Sequence, residues 1–553
     1  KAFLKLVLRQ TRKHLFLVQD GAKYHTSQST RAFLEAHQDT MTRLPKNILA
    51  QDDDPGTFVK REQDWRNGAI VYQVLVDRFA PSTQLDAKRA LYPSPKVLRA
   101  WSETPQPGTY LSEAKLNSQE LDFWGGDFAS LRGRLDYVQQ LGASVLYLNP
   151  IHLAYTNHKY DALDFLKISA EFGDRDDFLR LVAEVHARGM KLVLDGVFNH
   201  MGRHAPIFQD ALANPTSPWR DWFAIGSQYA GGARSWTGFQ NLPELNLENP
   251  AVRAYLYEDP NSVVRSFLRD GADGWRLDTA YELGLDYLRD LTRAAHLEKA
   301  GSLIVGEIVN YPGGWLESID AVMNFSLRHI LLGLASGVIA PSSAGRLLDQ
   351  LVSQAGIEPL LKSWIVIDNH DIPRIASQIP RDALRRLVQV LQFTLPGAPN
   401  IYYGSEVGMT GGSDPENRGP MRWDLVRDDN LEFTWIKKLI ALRQQHRALR
   451  VGNFRPVASD RLLAFERYTD RALETIVVLA NPSGTTITEQ VLIANAFLMD
   501  DTPMVDLLTP ADTPSVGNIQ AAFITVPLPP ETVLVLTPRE RALGGYSRYK
   551  RVR

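Results

Sequence analysis

The sequence contains no cysteine, which excludes disulfide stapling and thiolate chemistry without separating cytoplasm from exterior. It also lacks an excess of either charge. Lys and Arg number 61 against 63 Asp and Glu, so electrostatics favours neither nucleic acid nor an anionic membrane as main partner. A neutral substrate fits more easily. Nowhere does the sequence hold the roughly 18 consecutive apolar residues of a membrane-spanning helix, and the opening KAFLKLVLRQTRKH has no apolar run long enough for a signal-peptide core. A cytoplasmic location is therefore expected. Three absent motifs narrow the chemistry. None of the 12 His sits in an H-E-x-x-H or comparable ligand spacing, so no catalytic zinc centre is expected. G-x-S-x-G is missing, which leaves a Ser nucleophile unsupported. VYQVLVDRFAP, residues 71–81, lacks the Gly-rich phosphate turn that a doubly wound sheet carries after its first strand.

What is present is a repeated unit of apolar run, polar loop, amphipathic stretch and Gly. In DRDDFLRLVAEVHARGMKLVLDGVFNH, Phe178, Leu181, Val182 and Val185 share one helix face. Asp174 or Asp176 caps the start, Gly189 stops the helix, and a buried strand from Lys191 to Leu194 follows. FASLRGRLDYVQQLGASVLYLNP repeats the design, with Leu131, Leu135, Val138 and Leu141 as the stripe, Gly142 as the stop and Val145 to Leu148 as the strand. Further runs at Ile70–Val76, Trp275–Leu277, Leu303–Val305, Ala321–Met323, Trp364–Ile367 and Ile401–Tyr403 bring the strands to eight. Eight strand–helix alternations predict an α/β protein of the (β/α)₈ TIM-barrel type. Short alternating segments after residue 450, such as LLAFERY, TIVVLANP and TVLVLTP, predict a C-terminal antiparallel β-sandwich domain. The reading divides the chain into an N-terminal segment 1–64, a barrel 65–200 and 251–450, a short insertion after strand 3 at 201–250, and the sandwich with its tail at 451–553.

Four strand exits carry chemistry: LVLDGVFNH, GWRLD, LIVGE and IVIDNHD. All barrel strands end on one rim, so Asp278, Glu307 and Asp371 should converge there. Arg276 and Asp278 stand two apart on one strand and project to the same side, so the guanidinium should hold Asp278 ionised. Taken alone, that pair is equally an ordinary structural ion pair. Glu307 follows an apolar run and Gly306, surroundings that raise a carboxyl toward the range of a general acid. One ionised and one protonated carboxyl are what glycoside hydrolysis requires. His200, His370 and Asp371 stand ready to grip sugar hydroxyls.

These four stretches, in this order from about Ile70 to about Pro538, resemble the α-amylase superfamily, glycoside hydrolase family 13. NHKYDALDFLKI, GWRLDTAYE and the SDPENRGPMRWD stretch look most like its cyclomaltodextrinase, neopullulanase and maltogenic amylase group. The resemblance implies Asp278 as nucleophile, Glu307 as acid/base and Asp371 as transition-state stabiliser. It implies sugar contacts from His158, Tyr160, Asn199, His200, Arg276, Glu282 and His370, with Asp195 supporting Arg276. Asp414 and Arg418 look like the residues that hold the next glucose on the non-reducing side. The implied substrates are α-1,4 glucans, cyclodextrins and pullulan, cleaved through a glycosyl-enzyme intermediate that transfers to sugar when sugar replaces water. A catalytically inactive glucan-binding barrel is the alternative.

Departures from the group's pattern set further expectations. Val309 and Asn310 replace its usual Trp and His, and LPEL at 242–245 replaces M-P-K-L. DRFAPSTQLD lacks the Asn-Gly-Asp by which many relatives bind calcium, so no cofactor is expected to be required. FLVQDGAKYHTSQSTRAFLEAHQDTMTRLP resembles an insertion-sequence transposase fragment, with Asp20 in the place of one metal-binding acid and its two partners missing. A remnant without DNA chemistry follows. Residues 1–60 also show nothing like the group's usual β-sandwich roof, which predicts an open cleft that admits long starch chains. A monomer or weak oligomer is expected.

Overall fold

A computed structural model describes residues 55–540 and 544–552; the transposase-like stretch with Asp20 lies outside the described residues. Eight parallel strands close into a barrel. They are β1 (Val71–Val74), β2 (Val145–Leu148), β3 (Lys191–Gly196), β4 (Gly274–Leu277), β5 (Leu303–Ile308), β6 (Ala321–Asn324), β7 (Trp364–Val366) and β8 (Ala398–Tyr402). Each pairs with its neighbour in sequence, and β8 closes on β1 through Val71 opposite Asn400.

The two-residue period of a strand sorts side chains between barrel interior and helical shell. Val71, Val145, Tyr147, Val193, Val305, Met323, Trp364 and Val366 pack together inside. Their neighbours Tyr72, Leu146, Leu148, Leu192, Ile304 and Ile365 join the larger core under the helices. Fully burying aliphatic side chains of this kind contributes about 1.5–3 kcal/mol each, and two such layers hold the strands in register. Toward the C-terminal ends the inward positions turn polar, at Gln73, Asp195, Arg276, Glu307 and Asn400, all buried.

Local rules explain the helices. Asp174 accepts from the Asp177 backbone N–H at the head of helix Arg175–Ala187, and Asp177 reciprocates. The stripe expected as one helix from Leu131 to Leu141 is broken into Phe128–Arg132 and Leu135–Leu141. Gly133, a poor helix former, caps the first piece, and the Arg134 guanidinium turns away to lie over Trp423. All four stripe residues stay buried. The run Ile70–Val76 likewise yields a shorter strand, because Val76–Phe79 forms a helical turn.

After β3 the chain leaves the barrel through helix Pro206–Ala213 and returns to helix Val263–Arg269. Bridges between His200 and Glu244, Phe223 and Leu245, and Ser235 and Pro243 fold this excursion back on the rim. Beyond the barrel, β9 (Asn453–Pro456), β10 (Leu463–Tyr468), β11 (Ile476–Asn481), β12 (Ile487–Leu492), β13 (Pro503–Asp506), β14 (Gly517–Asn518), β15 (Phe523–Leu528) and β16 (Thr532–Pro538) form two antiparallel sheets. Their orders are β9-β10-β11-β16-β13-β14 and β12-β15, with Val477, Leu479, Val491, Ile524 and Leu536 in the core between them. Among the described residues no helix is long and apolar enough to cross a membrane.

Gly142 stops its helix at φ +98°, where an added Cβ would sit 2.7 Å from Ile440 Cγ2. Gly142→Ala should therefore cost about 1–3 kcal/mol through backbone strain and overlap. Chemical denaturation would show the lower midpoint, and the specific activity of the folded fraction should not change.

Candidate active site

The deepest element is the Arg276 side chain, fully buried on the inner face of β4. Its Nη1 donates to Asp195 Oδ1 at 2.8 Å and to Asp278 Oδ1 at 2.9 Å. Its Nη2 lies 3.0 Å from Glu307 Oε2, an ion pair without hydrogen-bond alignment. Three carboxylates from three adjacent strand ends therefore share one cation. Asp195 is fixed further by the Tyr147 and Tyr160 hydroxyls, which donate to Oδ2 at 2.6 and 2.8 Å. Glu307 accepts from the Thr279 backbone N–H at 2.8 Å, an approach made by the left-handed turn of Thr279 at φ +42°.

Asp371 joins from the exit of β7. Its Oδ2 lies 3.1 Å from His370 Nε2 and its Oδ1 lies 3.5 Å from Arg418 Nη2. Arg418 also pairs with Asp414 at 3.3 Å. His158 receives the Tyr160 backbone N–H on Nδ1 and faces Glu120 Oε2 with Nε2 at 3.1 Å. His200 lies against Trp236, ring centroids 5.5 Å apart, and its buried Nε2 has no partner.

These groups surround a cleft of about 560 Å³ lined by Asp278, Glu307, Asp371, His158, Tyr160, His200, Asp414 and Arg418. Of the residues singled out in the sequence, Arg276, Asp195 and His370 stand immediately behind that lining. Asn199 and Glu282 also lie off it, 3.4 Å from each other. Sequence reasoning missed Tyr110, Lys115, Gln119, Glu120, Trp236, Phe239 and Tyr281, which line the cleft as well. Tyr110 and Lys115 belong to a hairpin of Tyr110–Leu111 against Leu116–Asn117, for which the sequence offered no apolar alternation. The loop after β1 and the excursion after β3 wall the cleft.

Burial governs the charge states. It raises Glu307, against Arg276, as its apolar strand predicted. Asp278 departs from expectation. Burial pushes it well above the ordinary range, and Glu307, Asp195 and Asp371 add to that, against Arg276. The sequence showed a private ion pair, whereas the barrel divides one guanidinium among three acids. Such a cluster holds on to protons that separate carboxyls would release. Burial lowers His200 to about 3 and His370 well below its usual range, so both imidazoles stay neutral. Among the described residues, no three His, Asp or Glu side chains are grouped to hold a metal ion.

A closed parallel barrel that gathers acids, neutral imidazoles and aromatic rings around one cleft at its strand exits defines a glycoside hydrolase of the (β/α)₈ class. Comparison with known proteins agrees. The alpha amylase catalytic domain family matches residues 73–453. A cyclomaltodextrinase of a Bacillus species is 34% identical over 434 residues, 75% of this chain and 73% of that protein. Neopullulanase 2 of Thermoactinomyces vulgaris is 33% identical over 425 residues, 73% and 68% of the two chains. The solved cyclic α-maltosyl-(1→6)-maltose hydrolase of Arthrobacter globiformis, in complex with that cyclic sugar, superposes with a TM-score of 0.71 at 30% identity, over 86% of this chain and 99% of that one. The chain belongs to the α-amylase family.

Because the folded-state pKa of Asp278 lies above its unfolded value, this carboxyl contributes stability at low pH that is lost as pH rises through the folded pKa. Asp278→Asn should therefore flatten the fall of the thermal midpoint that the wild type shows as pH rises, read from paired melts of the two proteins across pH.

Proposed function

We propose that the protein cleaves α-1,4-glucosidic bonds with retention of configuration through a covalent glycosyl-enzyme intermediate. Asp278 attacks the anomeric carbon, Glu307 protonates the departing oxygen and then activates water, and Asp371 grips the sugar as positive charge develops. The observation that carries this reading is the single guanidinium of Arg276 shared by Asp195, Asp278 and Glu307. Within that sharing, hydrogen-bond alignment distinguishes the acids. Asp278 reaches the sugar as the carboxylate hydrogen-bonded to Arg276, and Glu307, paired without alignment, keeps the proton. Tyr160 and His158 face the same sugar, His200 offers its free Nε2, and Arg418 with Asp414 holds the neighbouring glucose.

The named relatives support α-glucans as substrates, cyclodextrins and pullulan among them. Intact maltooligosaccharides and starch belong to the same class, and transfer to a sugar acceptor follows whenever sugar intercepts the intermediate. We take the protein to act without calcium. In the loop after β1, Asp77 already accepts from Arg78 and the backbone N–H groups of Trp124 and Gly125. Lys88 and Lys96 place ammonium groups 2.5 and 2.7 Å from Asp127 and Glu171. These residues do not fit a cation site, because their carboxylates are already neutralised by the chain's own cations.

Trapping with a fluorinated α-glucosyl fluoride, followed by peptide mass spectrometry, should label Asp278. Asp278→Asn should lower kcat by about 10⁴-fold or more, and an unchanged rate would reject the assignment of Asp278 as nucleophile. Dialysis against EDTA should leave activity on maltotriose within about twofold, the outcome expected where no ion is held. Replacing hairpin residues 112–115 by a two-glycine turn should raise turnover of soluble starch relative to β-cyclodextrin, measured as the ratio of the two kcat/KM values.

A further inference from the structure

His370 is 1% exposed and stands behind the cleft lining. A buried neutral imidazole carries its hydrogen on one nitrogen, and its neighbours decide which. At His370 two chains of hydrogen bonds, joined at Asn149, reach that choice from opposite ends. The first starts at Asp195. Its Oδ1 is taken by Arg276, which can only donate, and its Oδ2 receives Tyr147 and Tyr160. Burial raises both phenols well above their usual range, so each keeps its proton. The Tyr160 hydrogen is committed to Asp195, and its oxygen also accepts from Asn149 Nδ2 at 2.9 Å. His370 Nε2, 2.5 Å from that same oxygen, must therefore be a donor.

The second chain starts across the barrel on β8. Asn400 Nδ2 donates to Gln73 Oε1 at 3.0 Å, which turns the Gln73 amide nitrogen toward His370. Gln73 Nε2 lies 2.9 Å from His370 Nδ1, and Asn149 Nδ2 lies 3.2 Å from the same atom. Two amide donors converge on Nδ1, which must therefore be an acceptor. Both chains give the same tautomer.

We infer that Gln73 and Asn149 are positioning residues that lock His370 as the neutral Nε2–H form, its hydrogen turned to the Tyr160 oxygen at the cleft lining. The charged groups around the ring agree with a neutral imidazole. Arg418, Arg276 and His158 all oppose a positive charge there, and Asp371, 3.1 Å from Nε2, is its one carboxylate neighbour at hydrogen-bond range among the described residues. A neutral donor suits glycosyl transfer, since an imidazolium beside the anomeric carbon would repel the positive charge of the transition state. The inference rests on the proposed hydrolase chemistry for its kinetic consequence, while the tautomer itself does not depend on it.

Long-range ¹⁵N–¹H correlation spectra of the full-length protein, with His370 assigned by comparison with His370→Gln, should show hydrogen on Nε2 and none on Nδ1 through the neutral range. Hydrogen on Nδ1 in the wild type would overturn the inference whatever the protein hydrolyses. Gln73→Glu puts an acceptor beside Nδ1 and should draw a proton there, lowering kcat on maltotriose about 10²-fold or more with KM within about threefold. Gln73→Met, which withdraws one donor and adds no acceptor, should leave the hydrogen on Nε2 and lower kcat less. An unchanged tautomer in Gln73→Glu, or a raised KM at constant kcat, would refute the lock. Should Gln73→Glu not fold, the wild-type spectrum still decides. Loss of all glucan activity with Nε2–H intact would count against the function and not against the lock.

Discussion

One buried cation sets the terms for everything at the mouth of this barrel. Removing Arg276 from water is expensive, and only well-placed counter-charges offset that cost. Asp195, Asp278 and Glu307 supply them from the ends of three neighbouring strands. The converse also holds. Three acids crowded together would repel one another without the guanidinium between them, so the pairing and the crowding depend on each other. The outcome is a cluster under electrostatic tension, with raised carboxyl pKa values balanced by one positive charge.

The barrel makes this arrangement cheap to build. Alternation along each strand gives an inward column, apolar at its lower levels and polar at the last. Gln73, Asp195, Arg276, Glu307 and Asn400 are the top layer of that column, so their mutual positions are inherited from strand register. Second contacts come from the loops. Tyr160 and His158 ride on the turn after β2, Trp236 and Phe239 on the excursion after β3, and Tyr110 and Lys115 on the hairpin after β1. Rigid strands hold the acids, and loops shape the space in which a glucan lies.

Much of this was legible in advance, for identifiable reasons. Eight barrel strands were visible as apolar runs because both faces of a barrel strand are buried, which leaves little room for polar residues; the run Ile401–Tyr403 catches only the end of β8, Ala398–Tyr402, whose earlier part holds Pro399 and Asn400. Helix Arg175–Ala187 was legible because Asp174 and its periodic stripe are local signals. The break at Gly133 was not, since the stripe on either side of it keeps its spacing and only the packing of Arg134 on Trp423 distinguishes two helices from one. Within the site, the acids announced themselves by standing at the exits of apolar runs. Tyr147 and Gln73 did not, although both occupy inward positions on their strands, because an aromatic or an amide within a strand looks like core until its neighbours are known. Glu120 and Lys115 gave no signal at all, lying in a loop without periodicity.

The sequence by itself determined which residues would meet. Strand periodicity and a common rim oblige Asp278, Glu307 and Asp371 to face one volume once the sheet closes. It could not determine how their charges would be divided, because Arg276 and Asp278 are a private pair in one dimension and members of a four-group cluster in three. Nor could it determine which nitrogen of His370 bears hydrogen, which depends on Asn400 and Asp195 at opposite ends of the chain's barrel. Proximity along a strand is a local property and can be read from a sequence. Proton placement is set by the sum of all surrounding donors and charges, and that sum exists only in the folded molecule.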